Sequence, residues 1–339
     1  MKALVCTEPN KVEVMEKELP DYTGKVLIKV KYAGICGSDL SIFHGKHPRA
    51  KMPLVAGHEF VGEVAAVAEG LDTDLKPGDR VVVNPIYYCG RCRACMQGAY
   101  TVCNHLKLIG IDCDGGMAQY ATAWPKNVMK LPEDLEWDLA ALIEPVAVVM
   151  HGMRMLEPRF FGSAVVTGGG PMGILSAIFL RSAGMSQVIV SEVNEVRLAR
   201  AAAMGFKTVN PSKCDVVQEI LKLTGGEGAD TLVEASGSPY VSKQVTEMVQ
   251  PRGKILMLSV FKEPALVNLR DINFKEQHII GTRVYNDLDF HDAIEFTRTH
   301  KADLRNVISH VFELDQGVEA FAAASGGGTD AMKVVIHCE

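Results

Sequence analysis

The sequence predicts an α/β chain of two domains, a β-rich barrel-like domain and a doubly wound parallel sheet. Three observations predict it. At 339 residues the chain is longer than one hydrophobic core usually supports. From Lys2 to about Pro132 short β-rich runs follow one another, separated by turns such as Lys76-Pro77-Gly78-Asp79 and Asp114-Gly115-Gly116. After Phe160-Phe161-Gly162-Ser163 the period changes to strands alternating with helices, the mark of a parallel sheet with crossovers.

In the first domain the expected strands are Ala3 to Cys6, Val12 to Lys17, Val26 to Tyr32, Phe60 to Ala68, Arg80 to Asn84, Gln119 to Ala123 and Val128 to Leu131. Gly57-His58-Glu59 falls between the apolar runs Met52 to Ala56 and Phe60 to Val67, where a turn can aim an imidazole and a carboxylate inward. Cys36 lies in the glycine-bracketed turn Ala33-Gly34-Ile35-Cys36-Gly37-Ser38-Asp39, and Glu144 interrupts the apolar run Leu139 to Met150. A thiolate, an imidazole and a carboxylate are the mixed ligands zinc takes when a position stays open to water or substrate. A histidine alone is more often bonded to its own backbone surroundings. A buried carboxylate such as Glu144, however, needs a cation or a partner.

Cys89, Cys92, Cys95 and Cys103 form a C-x2-C-x2-C-x7-C arrangement on a loop. Close spacing lets one short segment present several thiolates to a tetrahedral ion, and four thiolates without a vacancy make a closed, structural zinc site. An iron–sulfur cluster also takes four thiolates, and four free cysteines are the bland alternative. Flanking Arg91 and Arg93 suit a dianionic ZnS4 centre and favour zinc. The chain has nine cysteines, an odd number, and starts in strand-like sequence without a secretory signal, so metal ligation is preferred to disulfides.

The second domain opens with a buried strand, Ala164 to Thr167, then Gly168-Gly169-Gly170-Pro171-Met172-Gly173, a helix from Ile174 to Ala183 and a strand from Val188 to Ser191. A glycine triplet alone is weak. Between a strand and a helix, with Glu192 closing the next strand, it carries the full context of a dinucleotide fingerprint. Gly168 suits the tight turn, Gly170 the close approach of a pyrophosphate, Gly173 the packing of helix on strand, and Met172 stands in the same turn. Glu192 suits the ribose hydroxyls and repels a 2′-phosphate, which favours NAD over NADP, whereas Ser191 and Arg197 are the features that suit NADP.

Further helices are expected at Asp215 to Leu223 and Val241 to Val249, and strands at Thr231 to Glu234, Lys254 to Ser259 and His278 to Thr282. Ser236 and Ser259 follow strand ends, where such sheets hold ligands. The tail reads as helix Phe290 to Thr299, strand Ile308 to Glu313, helix Val318 to Ala324 and strand Lys333 to His337, and is expected to return to the first domain. His47, His105, His291, His300 and His310 read as solvated or structural.

A composition of 47% hydrophobic and 22% charged residues is ordinary, and a net charge of −6 argues against a nucleic-acid partner. No uncharged run reaches the ~18 residues of a bilayer span, so a cytoplasmic protein without a membrane partner is expected.

These residues resemble the zinc-dependent medium-chain alcohol dehydrogenases, in particular the polyol, sorbitol, butanediol and threonine dehydrogenase branch. The resemblance runs through Gly34 to Asp39, Gly57 to Gly62, Lys76 to Val81, the four-cysteine lobe, Asp114 to Gly116, Glu144-Pro145, the glycine turn and Gly281-Thr282-Arg283. It implies a GroES-like catalytic domain at 1–150 and 285–339, with the structural zinc lobe at about 86–106, and a Rossmann domain inserted at 151–284, the active site lying in the cleft between them. It also implies two zinc ions per chain. Cys36, His58 and Glu144 match the catalytic zinc ligands, Glu59 the glutamate that approaches or ligates the metal, and Asp39 the carboxylate that orients His58. Ser38 matches the hydroxyl that takes the alcohol proton. Homodimers or homotetramers are common in the branch.

One departure stands out. Where many relatives end the proton relay with a histidine five residues after the metal cysteine, this chain has Ser41, and His44 is the substitute considered, against relay by water. Arg283 either clamps an acidic or polyhydroxylated substrate or makes a salt bridge. The expected reaction is hydride transfer from a small secondary alcohol, a polyol, sugar alcohol, sugar acid or diol, to NAD. An L-threonine 3-dehydrogenase-like reaction shares the same residues, and a non-catalytic nicotinamide-binding zinc protein is the alternative of another class.

Overall fold

In the computed structural model, which describes residues 1–326 and 331–339, the chain forms two compact units, Met1–Ala147 with Tyr285–Glu339, and Val148–Val284. The first unit is built on antiparallel pairing. Val26–Gly34 is its central strand, paired along one side with Glu59–Val67 and on the other with Tyr120–Ala123 and, past that, Lys333–His337. Arg80–Val83 and Val128–Lys130 extend the sheet on one flank and Ile308–Glu313 on the other. Alternation of buried and outward residues along Val26–Gly34 places Val26, Ile28 and Val30 in a core with Val61, Val81 and Val83. A second sheet joins Lys11–Glu16, Lys2–Glu8 and Leu54–Val55.

Pairing of Lys333–His337 with Val26–Gly34 brings the end of the chain against the segment that leads to Cys36. Between Ile86–Tyr87 and Lys107–Leu108, a two-stranded ladder, the chain leaves the sheet as a lobe that carries the four cysteines.

The second unit is a six-stranded, all-parallel sheet in the order Lys207–Val209, Gln187–Ser191, Ser163–Thr167, Ala229–Glu234, Val249–Met257, His278–Gly281. Strand order reverses at Ser163–Thr167, and there the register aligns Thr167 with Ser191 on one side and Glu234 on the other. Gly168, Glu192 and Ala235 therefore emerge side by side at the switch point, the place where open parallel sheets hold ligands. Near-continuous apolar strands such as Ala164-Val165-Val166 are buried on both faces, as a sheet covered by helices requires.

The structure corrects the helix expected from Val241 to Val249. Only Pro239–Ser242 is helical, the chain continues in turns, and Val249 opens the strand Val249–Met257. The cause is tertiary. Gln277 Nε2 donates to the carbonyls of Thr246 (2.9 Å) and Val249 (2.7 Å), and Lys275 Nζ also takes Thr246 O (2.8 Å). Met248 O also accepts from the Ala229 N–H (2.9 Å) and Val249 pairs with Ala229 in the parallel ladder, so the last residues of the expected helix belong to the sheet. A helix that the sequence pattern did not suggest, Leu269–Lys275, is capped by Asn268, whose side chain accepts from the Asp271 N–H. Among the described residues no helix is long and apolar enough to cross a membrane.

Candidate metal centre and dinucleotide turn

Cys36 follows the central strand in extended conformation and stands at the head of the helix Gly37–Phe43. Asp39, in the first turn of that helix and fully buried, accepts from the Cys36 N–H through one carboxylate oxygen (2.8 Å) and from the Gly57 N–H through the other (3.1 Å). One carboxylate thus ties together the two segments that carry Cys36 and His58. His58 Nδ1 lies 3.6 Å from Asp39 Oδ1, so the same group faces the imidazole. Gly57 has φ +98°, and a side chain there would meet Met117 Cγ at 2.7 Å, so this turn accepts only glycine.

The ligand atoms of Cys36, His58 and Glu59 lie within 4.8 Å of one another. Glu59 opens the strand Glu59–Val67 opposite Gly34, and its carboxylate is ion-paired with Lys333. A Cβ at Gly34 would run into that carboxylate and come within 3.0 Å of Lys333 Cε, so the glycine makes the space for the pair. Glu144, in the helix Ile143–Leu156, is not one of the tight group of three. Its Oε1 accepts from the buried Tyr285 hydroxyl (2.9 Å).

Charge decides what this cluster can hold. Asp39, Glu59 and Glu144 are 0, 1 and 6% exposed, the Cys36 thiol adjoins them, and one buried ammonium, Lys333 at 3%, answers them. Buried carboxylates in excess of cations are costly, so the centre fits a metal cation. The pKa directions show how the chain offsets this charge without an ion, by holding protons on His58, Glu144 and Lys333. Burial, helped by the Glu59 charge and opposed by His58, Tyr285 and Lys333, pushes Glu144 up to about 7. Burial works to lower His58, yet the charges of Asp39 and Cys36 hold it well above the ordinary histidine value. Burial likewise opposes the charged form of Lys333, and Glu59, Cys36 and Glu144 overcome it, so its pKa is raised.

In the lobe, the Sγ atoms of Cys89, Cys92, Cys95 and Cys103 are 3.5 Å (92 to 95), 3.6 Å (103 to 89), 3.9 Å (92 to 103) and 4.0 Å (89 to 95) apart. The edge of a tetrahedron with Zn–S near 2.3 Å is about 3.8 Å. Backbone N–H groups of Cys89 and His105 both point at Cys103 Sγ. Those of Cys95 and Asn104 bring the Cys92 thiol down to about 6, whereas burial and the neighbouring thiols push Cys95 up to about 12, so the four share their protons unequally while no cation answers them. Four thiols at these separations fit a closed tetrahedral ion.

In the second unit Gly168 has φ +96° and passes so close to Ala235 that a Cβ would lie 3.0 Å from its carbonyl. A Cβ at Gly173 would strike the Gly168 carbonyl. Gly170, by contrast, opens the helix Pro171–Ser182 onto free space, where the nearest atom to a Cβ would be Arg197 Nη1 at 3.8 Å. Helix N–H groups facing such an opening suit a phosphate. Met172 is the second residue of that helix. Glu192 is buried against the turn, accepting from the Gly169 N–H (2.7 Å) and the Asn194 N–H (2.8 Å).

Ser236 and Ser259 are both tied to Glu234, a fully buried carboxylate that ends its strand and also accepts from the Ser236 and Gly237 N–H groups (2.9 and 3.0 Å). His44 is held by Asn10 (Nδ1 to Oδ1, 2.7 Å) and is not part of the metal cluster, and Ser38 is half-buried beside Asp39. Arg283 is exposed and makes no ion pair among the described residues. Three participants were not anticipated: Lys333, Tyr285 and Glu234. Lys333 and Glu234 carry a weak signal, a charge at the end of an apolar strand. Tyr285 carries none.

A mixed thiolate, imidazole and carboxylate centre in one unit and a dinucleotide turn in the other are the equipment of a metal-dependent dehydrogenase. Residues 22–133 match the alcohol dehydrogenase GroES-like domain and residues 171–299 the zinc-binding dehydrogenase domain. The chain is 35% identical over 316 residues to 2-dehydro-3-deoxy-L-galactonate 5-dehydrogenase of Pseudoalteromonas atlantica, covering 93% of this chain and 92% of the relative. It is 33% identical over 343 residues, 99% of each chain, to sorbitol dehydrogenase of Halalkalibacterium halodurans. L-Threonine 3-dehydrogenase of Bacillus velezensis is 34% identical over 332 residues, 95% of this chain and 94% of that one.

Among solved structures, 2R,3R-butanediol dehydrogenase from Bacillus subtilis superposes with a TM-score of 0.91 at 30% identity, covering 100% of this chain and 99% of that one. A zinc-binding dehydrogenase from Sinorhizobium meliloti, bound to NADP, scores 0.93 at 28% identity, covering 99% and 98% of the two chains. An Escherichia coli alcohol dehydrogenase complexed with NADH scores 0.91 at 30%, covering 99% of each. The chain belongs to the zinc-binding alcohol dehydrogenase family of medium-chain dehydrogenases. It is an oxidoreductase that acts on CH–OH donors and uses zinc and a nicotinamide cofactor.

Proposed function

We propose that the chain oxidises a secondary hydroxyl of a polyol, sugar alcohol, sugar acid or related diol to a ketone, with NAD as acceptor and two zinc ions, one catalytic and one structural. The observation that carries this reading is the Cys36, His58 and Glu59 cluster in its excess of buried negative charge. When bound, zinc supplies Lewis acidity to the substrate oxygen and the nicotinamide accepts the hydride.

The remaining work belongs to the chain. Cys36, His58 and Glu144 would hold the catalytic ion, and Glu59, tethered by Lys333, would be the carboxylate beside it. Asp39 fixes the backbone at Cys36 and Gly57 and faces His58 Nδ1, which would leave Nε2 as the ligand atom. Ser38 takes the alcohol proton. With Nδ1 of His44 donating to Asn10, its Nε2 is the acceptor that passes the proton to solvent. His44→Ala then shifts the pH profile of turnover; an unchanged profile removes the relay.

Gly168, Gly170, Met172 and Gly173 cradle the pyrophosphate, with Ser236 and Ser259 at neighbouring strand ends. Glu192 takes the ribose hydroxyls and disfavours a 2′-phosphate, against the attraction of Arg197. Arg283, exposed and unpaired among the described residues, is the cation available to a substrate. We also assign the enzyme to the cytoplasm as a homo-oligomer, which size-exclusion mass measurement checks.

The deciding experiment is NADH formation by zinc-loaded protein on a panel of polyols, sugar acids, vicinal diols and L-threonine, with NADP in parallel. Preference for a polyol, diol or sugar acid supports the reading. Activity confined to L-threonine replaces it with the amino-alcohol reaction, for which the threonine dehydrogenase relatives speak. Preference for NADP overturns the role of Glu192.

A further inference from the structure

His47 was expected to be a bystander, and its surroundings assign it more. It lines a cavity of about 210 Å3 together with Ile42, Gly45, Ala50 and Met52. Ile42 belongs to the helix that Cys36 opens, and Met52 precedes the strand Leu54–Val55 that leads to Gly57-His58. The cavity is therefore bracketed by the two segments that carry the metal-binding residues, and His47 lies close enough to His58 and Asp39 for their charges to bear on its ring.

Apart from backbone, His47 is the one polar group of the lining, and its tautomer is set. Nδ1 accepts the N–H groups of Arg49 (3.3 Å) and Ala50 (3.1 Å). A nitrogen whose lone pair takes backbone N–H groups carries no proton, so the neutral ring has its hydrogen on Nε2. Burial, seconded by the Arg49 charge, holds the pKa below the ordinary histidine value and keeps the ring neutral. Among the described residues Nε2 has no hydrogen-bond partner. Arg49 is itself committed, donating to Leu106 O (2.7 Å) and paired with Asp112 (3.3 Å). The cavity thus offers one neutral N–H donor in an apolar lining and no free cation.

We propose that this cavity is the subsite for a second, neutral hydroxyl of the substrate, which accepts a hydrogen bond from His47 Nε2–H. The proposal rests on the dehydrogenase reading above and narrows it to polyols. A simple monoalcohol leaves the donor unpaired, and a carboxylate entering the cavity loses its hydration without meeting a cation. Both are selected against.

Two substitutions separate this role from support of the loop. In His47→Asn the side-chain oxygen falls where Nδ1 was and keeps the loop bonds, but nothing reaches the Nε2 position. In His47→Gln the amide nitrogen reaches that position and restores the donor. For zinc-loaded enzyme with NAD, the ratio of kcat/KM for D-sorbitol or xylitol to that for 2-butanol should fall roughly ten- to hundredfold in His47→Asn, and His47→Gln should recover most of it. An unchanged ratio in His47→Asn, or wild-type preference for D-gluconate over both polyols, overturns the proposal.

A second readout does not depend on turnover. In 15N-histidine-labelled protein loaded with zinc and NADH, the His47 signals, assigned by their loss in the variants, should show the Nε2–H tautomer. They should shift on titration with D-sorbitol or xylitol and not with 2-butanol. If the panel shows no turnover but His47 responds, the reaction reading fails and the subsite stands. If turnover is found and His47 stays silent, the subsite fails alone.

Discussion

The two candidate metal centres of the first unit are built on opposite plans. The lobe collects four identical thiols from one stretch, residues 89–103, at separations that close a tetrahedron, and needs little from the rest of the fold. The other candidate centre draws Cys36 and the adjacent pair His58 and Glu59 from separate segments, with Glu144 as its proposed further ligand, then adds Asp39, Lys333 and Tyr285 to hold and charge-balance them. A closed centre can be local because its task is to staple a loop. A reactive one has to be open, mixed and off balance in charge, and only long-range packing maintains that state.

The contrast breaks most sharply at Cys36. Cys36→Ala should lower turnover by roughly a thousandfold or more, since the Lewis acid contributes several kcal/mol, while the folded protein still binds NADH. Turnover retained in zinc-free Cys36→Ala would mean that the mixed centre is not the reactive one. Cys103→Ala should do the converse: metal analysis shows one zinc fewer per chain and the melting temperature drops, while any protein that stays folded keeps its Michaelis constants. Equal loss of kcat at full stability in Cys103→Ala would erase the distinction between the centres.

What could be read from sequence follows the same division. The lobe was legible because its four cysteines are close in the chain, and the glycine turn because Gly168 and Gly173 answer local steric demands while Gly170 keeps the opening at the helix clear. The alternation of strands and helices disclosed the parallel sheet, but the helix assigned to Val241 to Val249 gives way where Met248 and Val249 join the sheet beside Ala229, a partner that no local pattern announces. Lys333 and Tyr285 escaped notice for that reason. Each acts on a carboxylate far away in sequence, and pairing of the last strand with Val26–Gly34 is what brings Lys333 to Glu59. The tautomer of His47 depends on two backbone N–H groups of its own loop, below the resolution of a motif.

Lys333 sharpens the comparison further. Removing one member of a buried ion pair strands the other, at a typical cost of about 3–5 kcal/mol. Lys333→Met should therefore destabilise the chelated protein by roughly that amount in denaturant titrations, and added zinc should recover part of it by answering Glu59. No recovery on zinc addition would place Glu59 outside the reach of the ion.

Glu144 supplies the smallest and most specific effect. In chelated protein its folded-state pKa lies near 7, above the ordinary glutamate value of 4.5. Below about pH 4.5 the carboxyl is protonated in folded and unfolded chains alike and contributes no pH dependence. Between there and pH 7 the unfolded chain releases the proton while the folded one retains it, so stability falls as pH rises, and above pH 7 the penalty is constant. Glu144→Gln removes this titration. Without metal, its stability relative to wild type should improve by about 2 kcal/mol between pH 5 and pH 8. With zinc the order should reverse, because the ion favours the carboxylate that the amide lacks. A difference between wild type and variant that does not change with pH in the chelated proteins would show that Glu144 is not held protonated by burial.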